Sequence, residues 1–323
     1  MRRKIPIFLA SDGRYLPYLS VTVKSIDEHS SDGNAYEVYI LSDGFDNREL
    51  EGLAGLELRN TRMTVVNMRN AINGMREALS LRLRDYYSEG IFYRLFIADM
   101  FPDLDRAVYI DCDTVLVSDI AELYDFDIGE NIIAAVADES IPCVPEFRSY
   151  VENWVGVSVG DYINSGVLVM NLAEYRRAGI LRRFAEFVRT TNPETIAPDQ
   201  DYLNALCRGR IYYLGSEWNK QPKRHNPIPV SDLKLIHYNL YEKPWRFSGV
   251  LYEEVFWDVA SRTPYYSEIK ADFDSYTDEQ REIDARGGVV LLERARELAE
   301  RGYHMLAPRA RIVRLGFGGE NGG

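Results

Sequence analysis

The sequence predicts an α/β protein, a sheet flanked by helices with a further helical extension toward its C-terminal end. Three observations predict it. Short apolar runs alternate with helix-periodic segments over the first hundred residues. Acidic residues stand at the ends of several of those runs, and the composition changes at about Gly249 to aromatic, helix-forming segments. Strands alternating with helices imply parallel neighbours, and ligands of such sheets gather beyond the carboxyl ends of the strands.

The elements follow in order. "IPIFLA" reads as a strand ending near Asp12, and Leu19, Val23 and Ile26 recur at helical spacing after it. "YEVYILSD" is a second strand, ending at Ser42-Asp43, "NRELEGLAGL" a helix and "RMTVVNM" a third strand. Ile91 to Met100 reads as an apolar helix leading to the strand before Asp111. "NIIAAVADES" and "INSGVLVMNL" are strands, and "NLAEYRRAGILRRFAEFVRTT" one long helix. "PDQDYLNALCRG" is a helix with acidic residues in its first turn, where the helix dipole favours them. "RIYYL" and "LKLIHY" are short strands. Beyond Gly249, "LYEEVFWDVASRTPYYSEIKADF" reads as helical, and Thr277-x-x-Gln280 opens a last helix with a capping box. The Gly287-Gly288 pair is expected to break that helix in two.

The 323 residues carry a formal charge of −12, which argues against a nucleic-acid partner or a broadly anionic membrane surface. Three cysteines without paired spacing point to free thiols in a reducing compartment. The basic start precedes an apolar run too short for a signal peptide, and no stretch approaches the roughly 20 apolar residues of a membrane span. A cytoplasmic protein is expected. The last segment, "PRARIVRLGF", alternates Arg309, Arg311 and Arg314 with apolar residues. It reads either as a frayed end packed on the domain or as a weak peripheral membrane contact, worth about 1 kcal/mol per basic residue.

The stretch "RAVYIDCDTVLVSDI" carries the chemistry. In extended backbone Asp111 and Asp113 point to one face and Cys112 to the other. Two carboxylates so close invite a cation. They could be turn or capping residues. Two catalytic readings compete with that one. "IDCDTV" matches the hydrophobic-DxDx[TV] pattern of haloacid-dehalogenase-like phosphatases, with Asp111 attacking phosphorus, but no convincing acidic pair follows to complete that site. In a nucleotide-sugar glycosyltransferase the pair instead holds Mn²⁺ or Mg²⁺ against a departing diphosphate. That reading asks for ligands downstream, and "LIHYNLYEKPW" offers His237 for the metal and Lys243 for a phosphate.

Six motifs stand in order: "FLASDGRYLPYLSVTVKSI", "YRLFIADMF", "YIDCDTVL", "INSGVLVMNL", "PDQDYLN" and "HYNLYEKPW". In this the chain resembles glycosyltransferase family 8 from residue 5 to about 247. The resemblance implies a GT-A type, Rossmann-like mixed sheet as catalytic domain over residues 1–248. A helical extension would follow over 249–307, then a basic, glycine-ended tail, partly disordered, over 308–323. It also implies a retaining transferase that moves galactose or glucose from a UDP-sugar to a hydroxyl on a glycan, glycolipid or glycoprotein, with a divalent metal.

By the same resemblance Asp12 meets the uracil edge and Tyr15 stacks on the ring, with Arg14 where the family often has Asn. Asp111 and Cys112 lie against the UDP-sugar, and Asp111, Asp113 and His237 form the metal set. Arg94 contacts the donor sugar and the carboxylates. Asp138 and Asn164 meet sugar hydroxyls, Asp199 contacts the sugar, and Gln200 lies beside the anomeric carbon. Lys243 binds phosphate, while Leu240 replaces the family's usual glycine. An amide is a poor nucleophile, so a front-face displacement fits Gln200 better than a covalent intermediate.

Overall fold

The computed structural model describes residues 2–71, 73, 89–301, 304 and 305. The basic tail over 308–323 lies outside the described residues.

Among the described residues there are nine strands: β1 Arg3–Ala10, β2 Asn34–Ser42, β3 Thr61–Asn67, β4 Arg106–Ile110, β5 Thr114–Leu116, β6 Ile133–Ala135, β7 Val167–Asn171, β8 Ile211–Tyr213 and β9 Leu235–His237. Seven form one sheet in the order β3-β2-β1-β4-β7-β6-β8, and β5 pairs with β9 in a small second sheet. Within the large sheet β7 runs antiparallel to both its neighbours, while the other pairs are parallel. The fold is the mixed α/β sheet that the sequence predicts.

The central strands are buried on both faces, which explains their unbroken apolar runs. Ile7, Leu9, Val108, Ile110, Val167 and Val169 pack into one core, and the alternating Phe8, Tyr109, Leu168 and Met170 into the core on the opposite face. The helix Leu16–Glu28 covers the first of these layers. A third core joins its Tyr18 and Val21 to Tyr238, Trp245, Phe256 and Ile269. Through this core the C-terminal helices Glu253–Ala260 and Tyr266–Ser275 attach to the sheet domain.

Three expectations change. The long helix after β7 is two helices, Leu172–Arg177 and Ile180–Thr190, because Gly179 adopts φ +61, which glycine reaches without penalty. Ile91 to Met100 is mostly a tighter 3₁₀ run, Glu89–Phe96, followed by a single α-turn, Ile97–Met100. The last helix is continuous over Asp278–Ala299 despite Gly287-Gly288. Its glycine pair serves packing: a Cβ on Gly287 would stand 3.1 Å from the Tyr241 hydroxyl. The capping box between Thr277 and Gln280 forms as its spacing predicts. Among the described residues no helix is long and apolar enough to cross a membrane.

Candidate active site

Strand register assembles the centre. In the antiparallel β5–β9 pair Thr114 lies opposite His237, so His237 arrives beside Asp113. The Tyr238 amide donates to Asp113 O at 2.9 Å, and the Asp111 amide donates to Gly166 O at 2.8 Å. Residues 111–113 form a turn, not the extended backbone of the sequence reading. The carboxylates converge all the same. Thr114 Oγ1 closes the turn on Asp111 O at 2.9 Å, and the Cys112 thiol points inward to Ala10 O, also at 2.9 Å. Gly166 makes room for this convergence. A Cβ there would stand 2.2 Å from His237 Cε1 and 2.7 Å from Asp111 Oδ2.

The three donor groups fit a metal. One ligand atom each from Asp111, Asp113 and His237 lies within 4.8 Å of the others. His237 Nε2 stands 3.2 Å from Asp113 Oδ1 and 3.7 Å from Asp111 Oδ2. Neighbouring ligand atoms of an octahedral dication with bonds of about 2.1 Å are roughly 3 Å apart. Asp113 Oδ1 is also buried without a hydrogen-bond partner, a costly arrangement that a cation would relieve. Two carboxylates and an imidazole suit Mn²⁺ or Mg²⁺.

Fixed cations frame the pair. Arg94, 4% exposed, reaches Asp111 Oδ1 at 2.9 Å and Asp199 Oδ2 at 3.1 Å, and lies over the Tyr109 ring. Burial opposes its charge, but the two aspartates outweigh burial and its pKa is raised. On the other side Lys243 pairs with Asp113 Oδ2 and donates to Tyr238 O. Burial alone would raise the Asp113 pKa; Lys243 and His237 overcome it and hold the carboxyl well below its usual range. The Asp199 carboxyl is pushed up by burial, with Arg94 opposing.

Next to the metal set lies a denser polar cluster. Asp138 accepts from five donors: Ser140 N, Ser140 Oγ and Gln221 Nε2 on one oxygen, Asn164 Nδ2 and Gln200 Nε2 on the other. Gln200 Oε1 in turn accepts from Ser165 N at 3.0 Å, and Ser165 Oγ donates to Asp199 at 2.8 Å. Asp199 and Gln200 sit in the first turn of the helix Pro198–Leu206.

A cavity of about 220 Å³ brings together Arg94, Asp111, Asp113, Asp138, Asn164, Asp199, Gln200 and His237. Asp12, Tyr15, Cys112 and Lys243 do not line it. Asp12 caps the short turn Gly13–Tyr15 by accepting from Tyr15 N at 3.2 Å, and pairs with Arg14 at 2.9 Å. Lys243 pulls the half-buried Tyr15 phenol down, yet burial beside Asp113 leaves it raised overall. The sequence reading missed Ser165, Asn219, Asn239 and Leu291. Ser165 lies inside "INSGV" and could have been read from that motif. Leu291, from the C-terminal helix, reaches the cavity only through tertiary packing.

An acidic pair, an imidazole and buried side-chain amides beyond the strand ends of a mixed sheet make up an arrangement of GT-A type. A model described as glycosyl transferase family 8 matches residues 6–249, and the chain belongs to that family. It is a glycosyltransferase. The lipopolysaccharide 1,2-glucosyltransferase of Escherichia coli K12 is 25% identical over 247 residues, covering 72% of this chain and 70% of that one. The apo structure of the bifunctional glycosyltransferase WbbM aligns with TM-score 0.71 at 22% identity, over 85% of this chain and 52% of its own. This chain thus spans about half of WbbM. The galactosyltransferase LgtC, solved with donor and acceptor sugar analogues, aligns with TM-score 0.62 at 24% identity, over 80% of this chain and 96% of its own.

Proposed function

We propose that the chain transfers a hexose, glucose or galactose, from a UDP-sugar to a hydroxyl of a glycan, glycolipid or glycoprotein, with retention of configuration. The observation that carries this reading is the single cavity in which Asp111, Asp113 and His237 adjoin Asp138, Asn164, Asp199 and Gln200. Asp111, Asp113 and His237 would hold Mn²⁺ or Mg²⁺, which supplies charge neutralisation for the departing diphosphate. Lys243, beside Asp113, is assigned to the phosphates; Asp12 and Tyr15 to the uracil ring. Cys112 would meet the donor through its backbone, because its thiol is turned inward. The catalytic unit is assigned to residues 1–248 and the helical extension to 249–307, whose Leu291 closes the cavity.

The same network favours a front-face displacement. Asp138 is saturated with donors, Asp199 is held by Arg94 and Ser165, and both polar atoms of the Gln200 amide are engaged. These contacts hold the groups in fixed positions, which suits orienting the sugar better than attacking its anomeric carbon. The acceptor oxygen then bonds to that carbon as its bond to the phosphate oxygen breaks. UDP leaves with the electron pair, and the leaving oxygen takes the acceptor's proton.

UDP release from a panel of UDP-hexoses, with Mn²⁺ and with EDTA, tests the reading. Turnover that needs Mn²⁺ and an α-linked product by NMR are expected. Full activity in excess EDTA would sink the metal assignment, and a β-linked product the mechanism. Inorganic phosphate from a sugar-phosphate monoester, with no UDP from any UDP-hexose, would favour the phosphatase reading, and turnover of neither a carbohydrate-binding role.

A further inference from the structure

His237 Nδ1 lies 2.8 Å from Asn219 Oδ1, Asn219 Nδ2 donates to Asn164 Oδ1 at 2.9 Å, and Asn164 Nδ2 donates to Asp138 Oδ2 at 3.0 Å. The direction of this chain is fixed at its far end. A carboxylate accepts, so the Asn164 NH₂ must face Asp138. The Gly166 N–H, which can only donate, meets Asn164 Oδ1 at 3.0 Å and requires the same orientation. Asn164 Oδ1 then requires the Asn219 NH₂, which leaves the Asn219 carbonyl facing the imidazole. An amide oxygen only accepts, so a proton must sit on His237 Nδ1.

A neutral ring protonated there carries its lone pair on Nε2, the nitrogen that faces Asp113 Oδ1 at 3.2 Å and Asp111 Oδ2 at 3.7 Å. The links are closed to solvent: Asn164 is 5% exposed, Asn219 1% and His237 3%, so water does not replace a missing partner. The Asn219 segment is anchored at both ends of the chain. His237 N donates to Lys220 O at 2.9 Å, and Gln221 Nε2 returns to Asp138 Oδ1 at 3.1 Å.

We propose that Asn219 is a positioning residue that locks His237 in the Nδ1–H tautomer, aims its Nε2 lone pair at a divalent cation held with Asp111 and Asp113, and couples that site to Asp138. The proposal rests on the metal-dependent reading above, and its two halves are measured separately. Long-range ¹⁵N–¹H spectra of metal-free protein, at a pH where the ring is neutral, report the tautomer directly. The wild type should show His237 protonated at Nδ1, and Asn219→Ala should lose that preference. Mn²⁺ titration by calorimetry and EPR reports the second half. Asn219→Ala should bind Mn²⁺ about 10–100-fold more weakly, the usual effect of removing a partner behind a metal-bound histidine. Asn219→Asp, which keeps an acceptor for Nδ1, should stay closer to wild type.

An Nε2–H tautomer in the wild type would overturn the proposal, as would an Asn219→Ala protein whose tautomer and Mn²⁺ affinity are both unchanged. Wild type that shows Nδ1–H but binds no Mn²⁺ would defeat the metal reading and keep the tautomer lock. The wild-type spectrum decides the first half even if the alanine variant does not fold.

Discussion

The two ends of the site, one proposed above for the nucleotide and the other for the sugar, are built differently. At the nucleotide end Asp12 finds its partners two and three residues away, in Arg14 and the Tyr15 amide, and its side chain is 30% exposed. At the sugar end Asp138 is 5% exposed and draws donors from Asn164, Gln200 and Gln221, in three separate segments of the chain. Local partners leave a group free to exchange them for a ligand. Distant, buried partners fix a group before any ligand arrives, and electrostatic preorganisation of that kind is what stabilises charge in a transition state. Substitutions at the sugar end should therefore cost stability and turnover together, and those at the nucleotide end donor affinity alone.

Arg94→Met tests this contrast at its strongest. It leaves the buried Asp199 and the part-buried Asp111 without their shared cation, and breaking a buried pair from one side costs about 3–5 kcal/mol. Urea denaturation should show that loss, and hexose transfer should fall to background. A variant of wild-type stability would mean that the Arg94 cluster is not the fixed frame described.

A carboxyl buried behind the sugar end makes the contrast depend on pH. Asp201, next to Gln200 in the first turn of the same helix, accepts from the Tyr150 and Tyr162 hydroxyls and the Ala197 amide. Burial outweighs these contacts and pushes its pKa up to about 7, from an ordinary 3.8. The folded protein thus holds this proton more tightly than the unfolded chain does. The stabilisation is complete below about pH 4 and is lost as pH rises toward 7, on the order of a few kcal/mol. Asp201→Asn should flatten that part of the stability profile in thermal melts. An unchanged slope between those limits would place the pH dependence elsewhere.

The same distinction decides what could be read in the sequence. Asp111 and Asp113 were legible because they follow an apolar strand within one segment, and His237 because it ends another. The sheet was legible because its central strands are apolar on both faces. Asn219 was not, since its role exists only where β9 sets His237 against a loop eighteen residues earlier in the chain. The Gly179 break was hidden in a helix-periodic stretch, while the Gly287-Gly288 pair looked like a break and is a seat for Tyr241. In both cases a residue's local propensity was outweighed, or put to use, by packing that the sequence does not display.

At the nucleotide end Tyr15→Ala provides the matching test. Base stacking on an aromatic ring is worth about 1–3 kcal/mol, so KM for the UDP-sugar should rise about tenfold with kcat and the urea midpoint little changed. A collapse of kcat, or a marked loss of stability, would show Tyr15 to belong to the fixed frame, in contact as it is with Tyr18 and the C-terminal core.

The smallest effect concerns Leu240, which lines the cavity between the two ends. It adopts φ +58, in the left-handed region that favours glycine, and it is 46% exposed. The loop therefore keeps the backbone geometry of a glycine while carrying a bulky side chain, at a cost of about 1–2 kcal/mol. Leu240→Gly should relieve that strain but give back part of the gain through the greater freedom of the unfolded chain. A net stabilisation of about 0.5 kcal/mol is expected from the urea midpoint. Because the side chain faces the cavity, the same variant separates strain from use. If transfer is unchanged, the leucine is a tolerated substitution. If kcat/KM for transfer falls while UDP-sugar hydrolysis is kept, its side chain meets the acceptor, and the strain is retained for that contact. A loss of stability beyond about 1 kcal/mol would instead show that Leu240 is packed as part of the frame.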